Sequence, residues 1–348
     1  MKPASTLCLI ACCSIAVGTL HAGSTSTTSP TVPRGVFNLL KAGGSINVNT
    51  LNNPAVDGIS IRQSWSLVNS ADGVFDWSYF DQQVHNAGAS GKKILIRISD
   101  GGTNIPSWVT KGAATTFSYS DGGSTVTIPV FWDPFYLSKK KALLAAFGAH
   151  FTGNPAIKIV NVGVANARSD DWSMPNSPTD VSNWRAAGYT SQKLIDSCNA
   201  FVDATMSAFP NQVVVIATNP NGKLDPTPDY ARSAVVSYGR GKWGNRLVVA
   251  QDNLSATTAS APPPSNSFWA FWYSCRPIIS AQMLWFSYGD PNYKNNGGTP
   301  CDPAYSLRRS VDIGASYGIN YLEIYQTDII NLPDVINYAH NLLNPPSS

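Results

Sequence analysis

The 348-residue chain contains a single glutamate, Glu323, and its other twenty acidic residues are all aspartate. Glu323 lies in INYLEIY (319–325), an apolar run that favours β structure and in which a surface charge is not expected. A carboxylate there can be catalytic, as a nucleophile or base with a longer reach than aspartate. The alternative is a buried ion pair that only specifies the packing of the core. Both interpretations call for a cation beside it.

Strand alternation selects the side chains that would meet Glu323. In ISIRQSW the isoleucines occupy one face, so Ser60 and Arg62 occupy the other. ISAQMLW likewise places Gln282 opposite its apolar residues. We therefore expect one carboxylate, one guanidinium and one amide to converge, with Arg62 as the cation that keeps Glu323 ionised.

Eight short β-rich runs alternate with stretches of helical periodicity. The runs are 35–40, 57–65, 92–99, 157–165, 212–218, 246–252, 278–286 and 319–325. This alternation predicts an α/β fold, a single (β/α)8 TIM barrel whose active site lies at the C-terminal ends of the strands. An open doubly wound sheet is the alternative, but no glycine-rich phosphate loop follows the first run.

The N-terminal residues MKPASTLCLIACCSIAVGTLHA contain one lysine, a long apolar run and a small final residue, as export signals do. We predict a signal peptide at 1–22, a polar linker at 23–34 and the barrel at 35–345, in a secreted or periplasmic protein. A lipid anchor at Cys12 is an alternative, because Leu-Ile-Ala-Cys has the form of a lipidation motif. No later run is apolar for the length that a membrane span requires.

The composition excludes several classes of partner. Charged residues make up 13% of the chain, the formal net charge is +3, and no basic cluster is longer than KKK at 139–141. Nucleic acid and other polyanions are therefore poor candidates. Abundant Asn, Ser, Thr, Gly and Trp indicate a neutral polar ligand. No cluster of histidines, cysteines or carboxylates has the spacing of a metal site, so we expect no cofactor.

Three cysteines follow the predicted signal peptide. Cys275 and Cys301 flank a loop rich in glycine and asparagine, and we expect them to form a disulfide in an oxidising compartment. Cys198 lies in a helical pattern and is expected to be a buried thiol.

The segment DGISIRQSWSLVNSADGVFDWSYFDQQVHNAGASGKKILIRISDGG, followed by PSW and FWDPFY, resembles the N-terminal half of the clan A glycoside hydrolases. These are the TIM barrels of the cellulase and β-galactosidase type. The layout matches over roughly 35–340, and the motifs match over roughly 55–135. The resemblance implies hydrolysis of a glycosidic bond by two carboxylates, an acid/base at the end of the fourth strand and a nucleophile at the end of the seventh.

Neither of these carboxylates stands where the resemblance places it. The fourth strand ends in Asn166-Ala167 instead of Asn-Glu, and the seventh carries Gln282. Asp170 and Asp171 are the replacement candidates, with Asp171 favoured as the acid and Glu323 as nucleophile or base. Retention requires a separation of roughly 5 Å and inversion roughly 6.5–9.5 Å. A capping or solvated-loop role is the alternative for both aspartates.

Further side chains near strand ends suit a carbohydrate substrate, whose hydroxyls need hydrogen bonds and whose ring faces stack on aromatic rings. The predicted substrate-binding residues are Arg62, Trp65, Asp100, Asn166, Trp172, Asn219 and Gln282; Trp108, Trp132 and Asp252 occupy similar places. Loop, cap or core roles are the alternative for each of them. Trp285 is on the helix side by alternation and is expected in the core.

The sequence thus favours a glycoside hydrolase-like barrel that acts on a neutral oligo- or polysaccharide. A non-catalytic carbohydrate-binding barrel is the alternative, because it would have lost the two usual carboxylates. The discriminating feature is a carboxyl group from the 166–172 loop within about 10 Å of Glu323, beyond which hydrolysis by two carboxylates is implausible.

Overall fold

A computed structural model describes residues 30–345. The strands are β1 (Gly35–Leu39), β2 (Gly58–Ser64), β3 (Lys93–Ser99), β4 (Thr116–Asp121), β5 (Ser124–Pro129), β6 (Ile157–Asn161), β7 (Val213–Ala217), β8 (Leu247–Leu254), β9 (Ile279–Met283) and β10 (Tyr321–Tyr325). Eight parallel strands close into a barrel in the order β1-β2-β3-β6-β7-β8-β9-β10. All eight predicted strands are present, and the predicted (β/α)8 fold is confirmed.

Helices flank the barrel and connect its strands. They are α1 (Val48–Asn52), α2 (Trp65–Val68), α3 (Ser78–Ala89), α4 (Ser107–Gly112), α5 (Pro134–Phe151), α6 (Pro178–Ala186), α7 (Ser191–Ala208), α8 (Tyr230–Trp243), α9 (Phe268–Ser274), α10 (Pro303–Tyr317), α11 (Gln326–Asn331) and α12 (Pro333–Leu343). Several begin at a side-chain cap that satisfies free backbone N–H groups, such as Asp133 before α5 and Asp302 before α10.

Alternation along each strand separates two cores. Outward residues such as Leu322 and Ile324 pack against the helices in the larger cluster. Inward residues form the smaller cluster inside the barrel, which includes Phe37, Leu95 and Tyr321. These side chains fill the lumen as a packed core and leave no open channel at that level.

The lumen changes from apolar to polar along the strand direction. On β3, Leu95 belongs to the apolar cluster, and Arg97 comes two residues later on the same face. On β10, Tyr321 and Glu323 repeat this order. Since the strands are parallel, the later residues all lie nearer the C-terminal face, where a barrel enzyme carries its site.

A β-hairpin inserted after β3 was not predicted. β4 and β5 pair antiparallel and are joined by Gly122-Gly123, with φ of 54° and 84°. Both residues need the left-handed conformation that a two-residue hairpin turn demands, so the Gly-Gly pair was the available sequence signal. The hydroxyl of Tyr119 on β4 donates to the carbonyl oxygen of Ala167, so the hairpin holds the loop that follows β6.

The first barrel strand begins at Gly35, and part of the predicted linker packs against the barrel. The predicted signal peptide and the first part of the predicted linker lie outside the described residues. Val32, within the predicted linker, packs in the luminal cluster, and Arg34 donates through Nε to the Leu343 carbonyl. Among the described residues, no helix has the length and apolar character to cross a membrane.

The predicted disulfide is wrong. Cys275 and Cys301 are both free. Cys275 is buried beside Arg240, whereas Cys301 lines a small cavity with Phe286, so folding places the two thiols in different environments. Cys198 is a fully buried thiol, as predicted, and burial raises its pKa.

Two helical glycines give a test of how closely the outer helices are packed. A Cβ at Gly148 of α5 would lie 2.3 Å from the Ala208 carbonyl oxygen, whereas a Cβ at Gly88 of α3 would meet only the Ala156 Cβ at 3.6 Å. We expect Gly148→Ala to lower the free energy of unfolding by about 1–3 kcal/mol, because the backbone must shift. Gly88→Ala, the matched control, should raise it by up to about 1 kcal/mol through helix propensity. Urea unfolding measures both, and equal effects would contradict the tight α5–α7 contact.

Candidate active site

An acidic cleft opens at the C-terminal face of the barrel. Its volume is about 400 Å³, within the usual range for ligand sites. The cleft is lined by Ala42, Arg62, Ser99, Asn104, Ser169, Asp170, Asp171, Asn219, Asp252, Asn253, Gln282, Leu284 and Tyr325. Three carboxyl groups, one guanidinium and four side-chain amides of strand ends and their loops therefore face one space.

Arg97, which was not predicted as a site residue, is the central cation beneath this cleft. Its Nη2 lies 3.3 Å from Glu323 Oε1, and its Nη1 lies 3.4 Å from both Asp171 Oδ1 and Gln282 Oε1. The side chain is only 2% exposed. Burial alone would lower the pKa of Arg97, but the charges of Glu323, Asp171 and Asp170 raise it, so the guanidinium stays charged.

Glu323 lies below the cleft and does not line it. Its Oε2 accepts a 2.6 Å hydrogen bond from Ser60, its Oε1 contacts Arg97, and it is 2% exposed. The cation that holds it is therefore Arg97 and not Arg62. This placement favours the buried ion pair that the sequence left as an alternative. Alternation in KKILIRIS puts Arg97 on the luminal face and could have identified it.

Arg62 holds Asp170 instead. Its Nη1 lies 3.1 Å from Asp170 Oδ2, which also accepts a 2.7 Å hydrogen bond from Ser99, and its Nε donates to the Leu40 carbonyl. Both side chains remain partly exposed, at 14% and 12%. Asp170 is thus an ionised carboxylate in a fixed position on the cleft wall.

Asp171 and Asp252 form a carboxyl pair. Burial, then the charge of Asp171 and a hydrogen bond to it, raise the pKa of Asp252 well above its usual range. Among the described residues, Asp252 Oδ1 is buried without a donor partner, as expected if it faces another carboxyl oxygen. Asp252 lies near the C-terminal end of β8, the sixth barrel strand, and was predicted only as a polar strand-end residue.

Arg97 also limits the distance between Glu323 and Asp171. The two carboxylates contact neighbouring nitrogens of one planar guanidinium at 3.3 and 3.4 Å, so their contacting oxygens lie within about 9 Å of each other. The criterion of about 10 Å, which separates a two-carboxylate site from a dispersed one, is therefore met.

Two of the other predicted site residues line the cleft, and two support the loop after β6. Asn219 and Gln282 line the cleft. Asp100 is buried in an ion pair with Lys140, and Asn166 donates to Asp100 Oδ1 and to the Asp170 carbonyl, both at 2.8 Å. Asp100 and Asn166 therefore hold the loop after β6 in place.

The predicted tryptophan platform is not formed. Trp65 and Trp172 are buried, at 0% and 1% exposure, and each donates its indole N–H to a nearby asparagine, so neither offers a ring face to a sugar. Trp108 and Trp132 pack against the outer core. Trp285, expected in the core, is only half-buried, because β9 ends at Met283 and strand alternation does not reach it.

A second cavity adjoins the cleft, and Arg62 and Tyr325 line both. Its volume is about 440 Å³, and Trp285 and Phe286 also line it. Burial raises the pKa of Tyr325 to about 12, so its phenol stays protonated and can donate. This aromatic cavity is defined here by Leu39, Leu40, Lys41, Gly44, Ser45, Arg62, Trp285, Phe286, Tyr325, Gln326 and Thr327.

Two buried side chains fix the loop that carries these aromatic rings. Asn295 accepts from the Trp285 N–H at 3.1 Å and donates to the Trp285 carbonyl at 2.6 Å. The Asp328 carboxylate accepts from the N–H groups of Ser287 and Tyr288 at 2.7–2.9 Å. Burial nevertheless raises the pKa of Asp328 to about 6.

No group of three or more potential metal ligands occurs among residues 30–345.

No family model and no curated protein matches the chain. Solved structures are similar to the chain in fold. The β-amylase catalytic domain from Paenibacillus polymyxa has 14% identity and a TM-score of 0.60, over 90% of this chain and 100% of that one. The β-galactosidase from the psychrophilic Marinomonas ef1 has 12% identity and a TM-score of 0.52, over 84% of this chain and 54% of that one. The chain therefore shares the (β/α)8 barrel fold of these two proteins. At these identities the similarity concerns the fold.

The buried charge cluster around Arg97 should dominate local stability. We expect Arg97→Met to lower the free energy of unfolding by about 3–5 kcal/mol, because two buried carboxylates lose their counter-charge. The matched control is Lys139→Met, which removes the surface pair with Asp72 and should cost at most about 1 kcal/mol. Chemical unfolding of both variants tests this, and similar small losses would show that Arg97 is not essential to the fold.

Asp328 should make stability depend on pH. Its pKa of about 6 in the fold exceeds the ordinary value of 3.8, so its contribution is greatest below pH 4 and is lost as the pH rises through 6. Relative to Asp328→Asn, the wild type should lose up to about 3 kcal/mol between pH 4 and pH 7. Unfolding free energies at pH 4, 5, 6 and 7 provide the measurement; a constant difference would contradict the raised pKa.

Proposed function

We propose that the protein hydrolyses O-glycosidic bonds in a neutral oligo- or polysaccharide. The observation that carries the proposal is that the carboxyl groups of Asp170, Asp171 and Asp252 line one cleft, in which burial and the charge of Asp171 raise the pKa of Asp252. A carboxyl that remains protonated near neutral pH is what a general acid requires. The fold shared with a β-amylase and a β-galactosidase supports a carbohydrate as the substrate.

The proposed roles differ from those that the sequence suggested. Asp252 gives its proton to the glycosidic oxygen as the bond to the anomeric carbon breaks. Asp170, held as a carboxylate by Arg62 and Ser99, acts as the base that removes a proton from water, or as the nucleophile. Asp171 receives the hydrogen bond of Asp252 and keeps the proton in place before transfer.

Glu323 is proposed as a positioning residue. Since Ser60 and Arg97 occupy both of its oxygens, it acts on the substrate only through Arg97, which in turn fixes Asp171 and Gln282. The length of the glutamate side chain then explains why the one glutamate of the sequence stands at this position. The longer side chain extends from β10 to a guanidinium on β3, on the far side of β1 and β2 in the barrel order.

The cleft walls favour a neutral polyhydroxylated ligand. Asn219, Asn253 and Gln282 offer amide donors and acceptors, and Tyr325 offers a hydroxyl. Such groups bind sugar hydroxyls with directional hydrogen bonds. An anionic sugar would meet three carboxylates, with one cation, Arg62, exposed beside them, which disfavours it.

A non-catalytic carbohydrate-binding barrel is the second candidate. By the sequence resemblance, Ala167 would stand at the acid/base position and Gln282 at the nucleophile position. Neither side chain supplies a carboxylate. This function would use the same cleft for binding and leave the Asp252 proton without a chemical role.

We also propose that the protein is exported by a signal peptide at 1–22, with lipidation at Cys12 as the alternative. The N-terminal sequence supports this proposal. The mass of the mature N-terminus distinguishes cleavage after Ala22 from a lipid on Cys12, and an intact N-terminus in material recovered from the producing cells would argue against both.

Hydrolysis of α- and β-linked glucans, mannans and galactosides by three variants tests the proposed roles. We expect Asp252→Asn to lower kcat by about 10²–10⁴-fold, since the acid is lost. Glu323→Gln should cause a smaller loss, because it acts through Arg97. Asp121→Asn, which changes an exposed carboxylate at the hairpin turn, is the control and should leave the rate unchanged.

The outcomes separate the two candidate functions. Wild-type activity that survives Asp252→Asn would remove Asp252 as the acid. Absence of hydrolysis by the wild type, together with measurable sugar binding, would favour the non-catalytic barrel.

A further inference from the structure

We propose that the aromatic cavity binds a second sugar unit of the same glycan that the acidic cleft holds. The substrate would then be a chain of several units and not an isolated glycoside. The inference rests on the proposed carbohydrate substrate, but it requires binding only and not hydrolysis.

The two spaces adjoin each other. Arg62 and Tyr325 line both the cleft and the aromatic cavity, whose volumes are about 400 and 440 Å³. A ligand that extends from the carboxylates past these two side chains would reach the aromatic cavity. An extended chain is therefore the occupant that fits both spaces at once.

The chemistry changes between the two spaces in a way that suits a sugar chain. Most of the side chains that line the cleft are polar, whereas the second cavity has Trp285 and Phe286 on its wall, with their ring centroids 5.1 Å apart. Polar groups of Ser45, Gln326 and Thr327 lie around them. A pyranose ring has apolar C–H faces and hydroxyls at its edge, so aromatic rings with polar neighbours match both parts.

Trp285 is half-buried and lines the cavity, so part of its side chain can contact a ligand. The ammonium of Lys294 lies 3.8 Å from its ring centroid, and the rings of Phe286 and Tyr325 lie 5.1 and 5.8 Å away. These neighbours fix the orientation of the indole ring.

The ring is held rigidly, as binding platforms are. Asn295, 2% exposed, bonds to both backbone groups of Trp285, and Asp328, fully buried, bonds to the backbone two and three residues later. A platform that is ordered before the ligand arrives loses little conformational entropy on binding. Two buried polar side chains committed to one surface loop indicate that the position of this loop matters.

The test compares Trp285→Ala with Tyr288→Ala, a matched control on the same loop whose side chain is 44% exposed and does not line the cavity. Binding of glucan, mannan and galactan oligosaccharides of two to six units is measured by calorimetry. For the series that binds, we expect affinity to rise with length in the wild type and in Tyr288→Ala. In Trp285→Ala, affinity for the longer members should fall by roughly tenfold, the size of one aromatic contact. Trp285→Phe should recover part of this loss, which a folding defect would not allow.

Activity supplies an independent readout. If the wild type hydrolyses a series, the ratio of kcat/KM for the longest to the shortest member should fall roughly tenfold in Trp285→Ala. If no series is hydrolysed, length-dependent binding that requires Trp285 still supports the subsite while the hydrolase proposal fails. Equal affinities in Trp285→Ala and wild type, or no binding of any series by the wild type, would overturn the subsite.

Discussion

A charged guanidinium buried inside the barrel is the constraint on which the rest of the site depends. Arg97 is 2% exposed, and burial of an unpaired cation costs several kcal/mol or more. The charge is tolerated because two carboxylates from distant parts of the sequence pair with it. Glu323 comes from β10, and Asp171 comes from the loop after β6. Closing the barrel and placing that loop are thus parts of one electrostatic arrangement.

The loop after β6 carries two of the carboxyl groups that line the cleft. The Ala167 carbonyl accepts a hydrogen bond from the Tyr119 hydroxyl. Asn166 donates a hydrogen bond to Asp100, which forms an ion pair with Lys140. These contacts turn Asp170 and Asp171 back over the barrel mouth. The fold is shared with a β-amylase and a β-galactosidase at 12–14% identity, so the barrel tolerates extensive sequence change.

Polar anchors recur wherever a cleft-forming segment must hold its shape. Asn295 and Asp328 form hydrogen bonds that hold the loop at 285–288 in place. Asn166 and Asp100 hold the loop after β6 in the same way. In each case buried side chains satisfy backbone groups that would otherwise lack partners, which is how irregular segments stay ordered. Order in these two loops defines the walls of both the acidic cleft and the aromatic cavity.

The sequence by itself determined the eight strands, their inward and outward faces and the luminal position of Glu323, because alternation is a local property of each strand. It also pointed to Asp170, Asp171, Asn219 and Gln282, which line the cleft. Only the tertiary structure decided that Arg97 and not Arg62 holds Glu323, that burial beside Asp171 raises the pKa of Asp252, and that Cys275 and Cys301 are both free. Pairings between residues distant in sequence depend on barrel tilt and loop path, which no local pattern encodes.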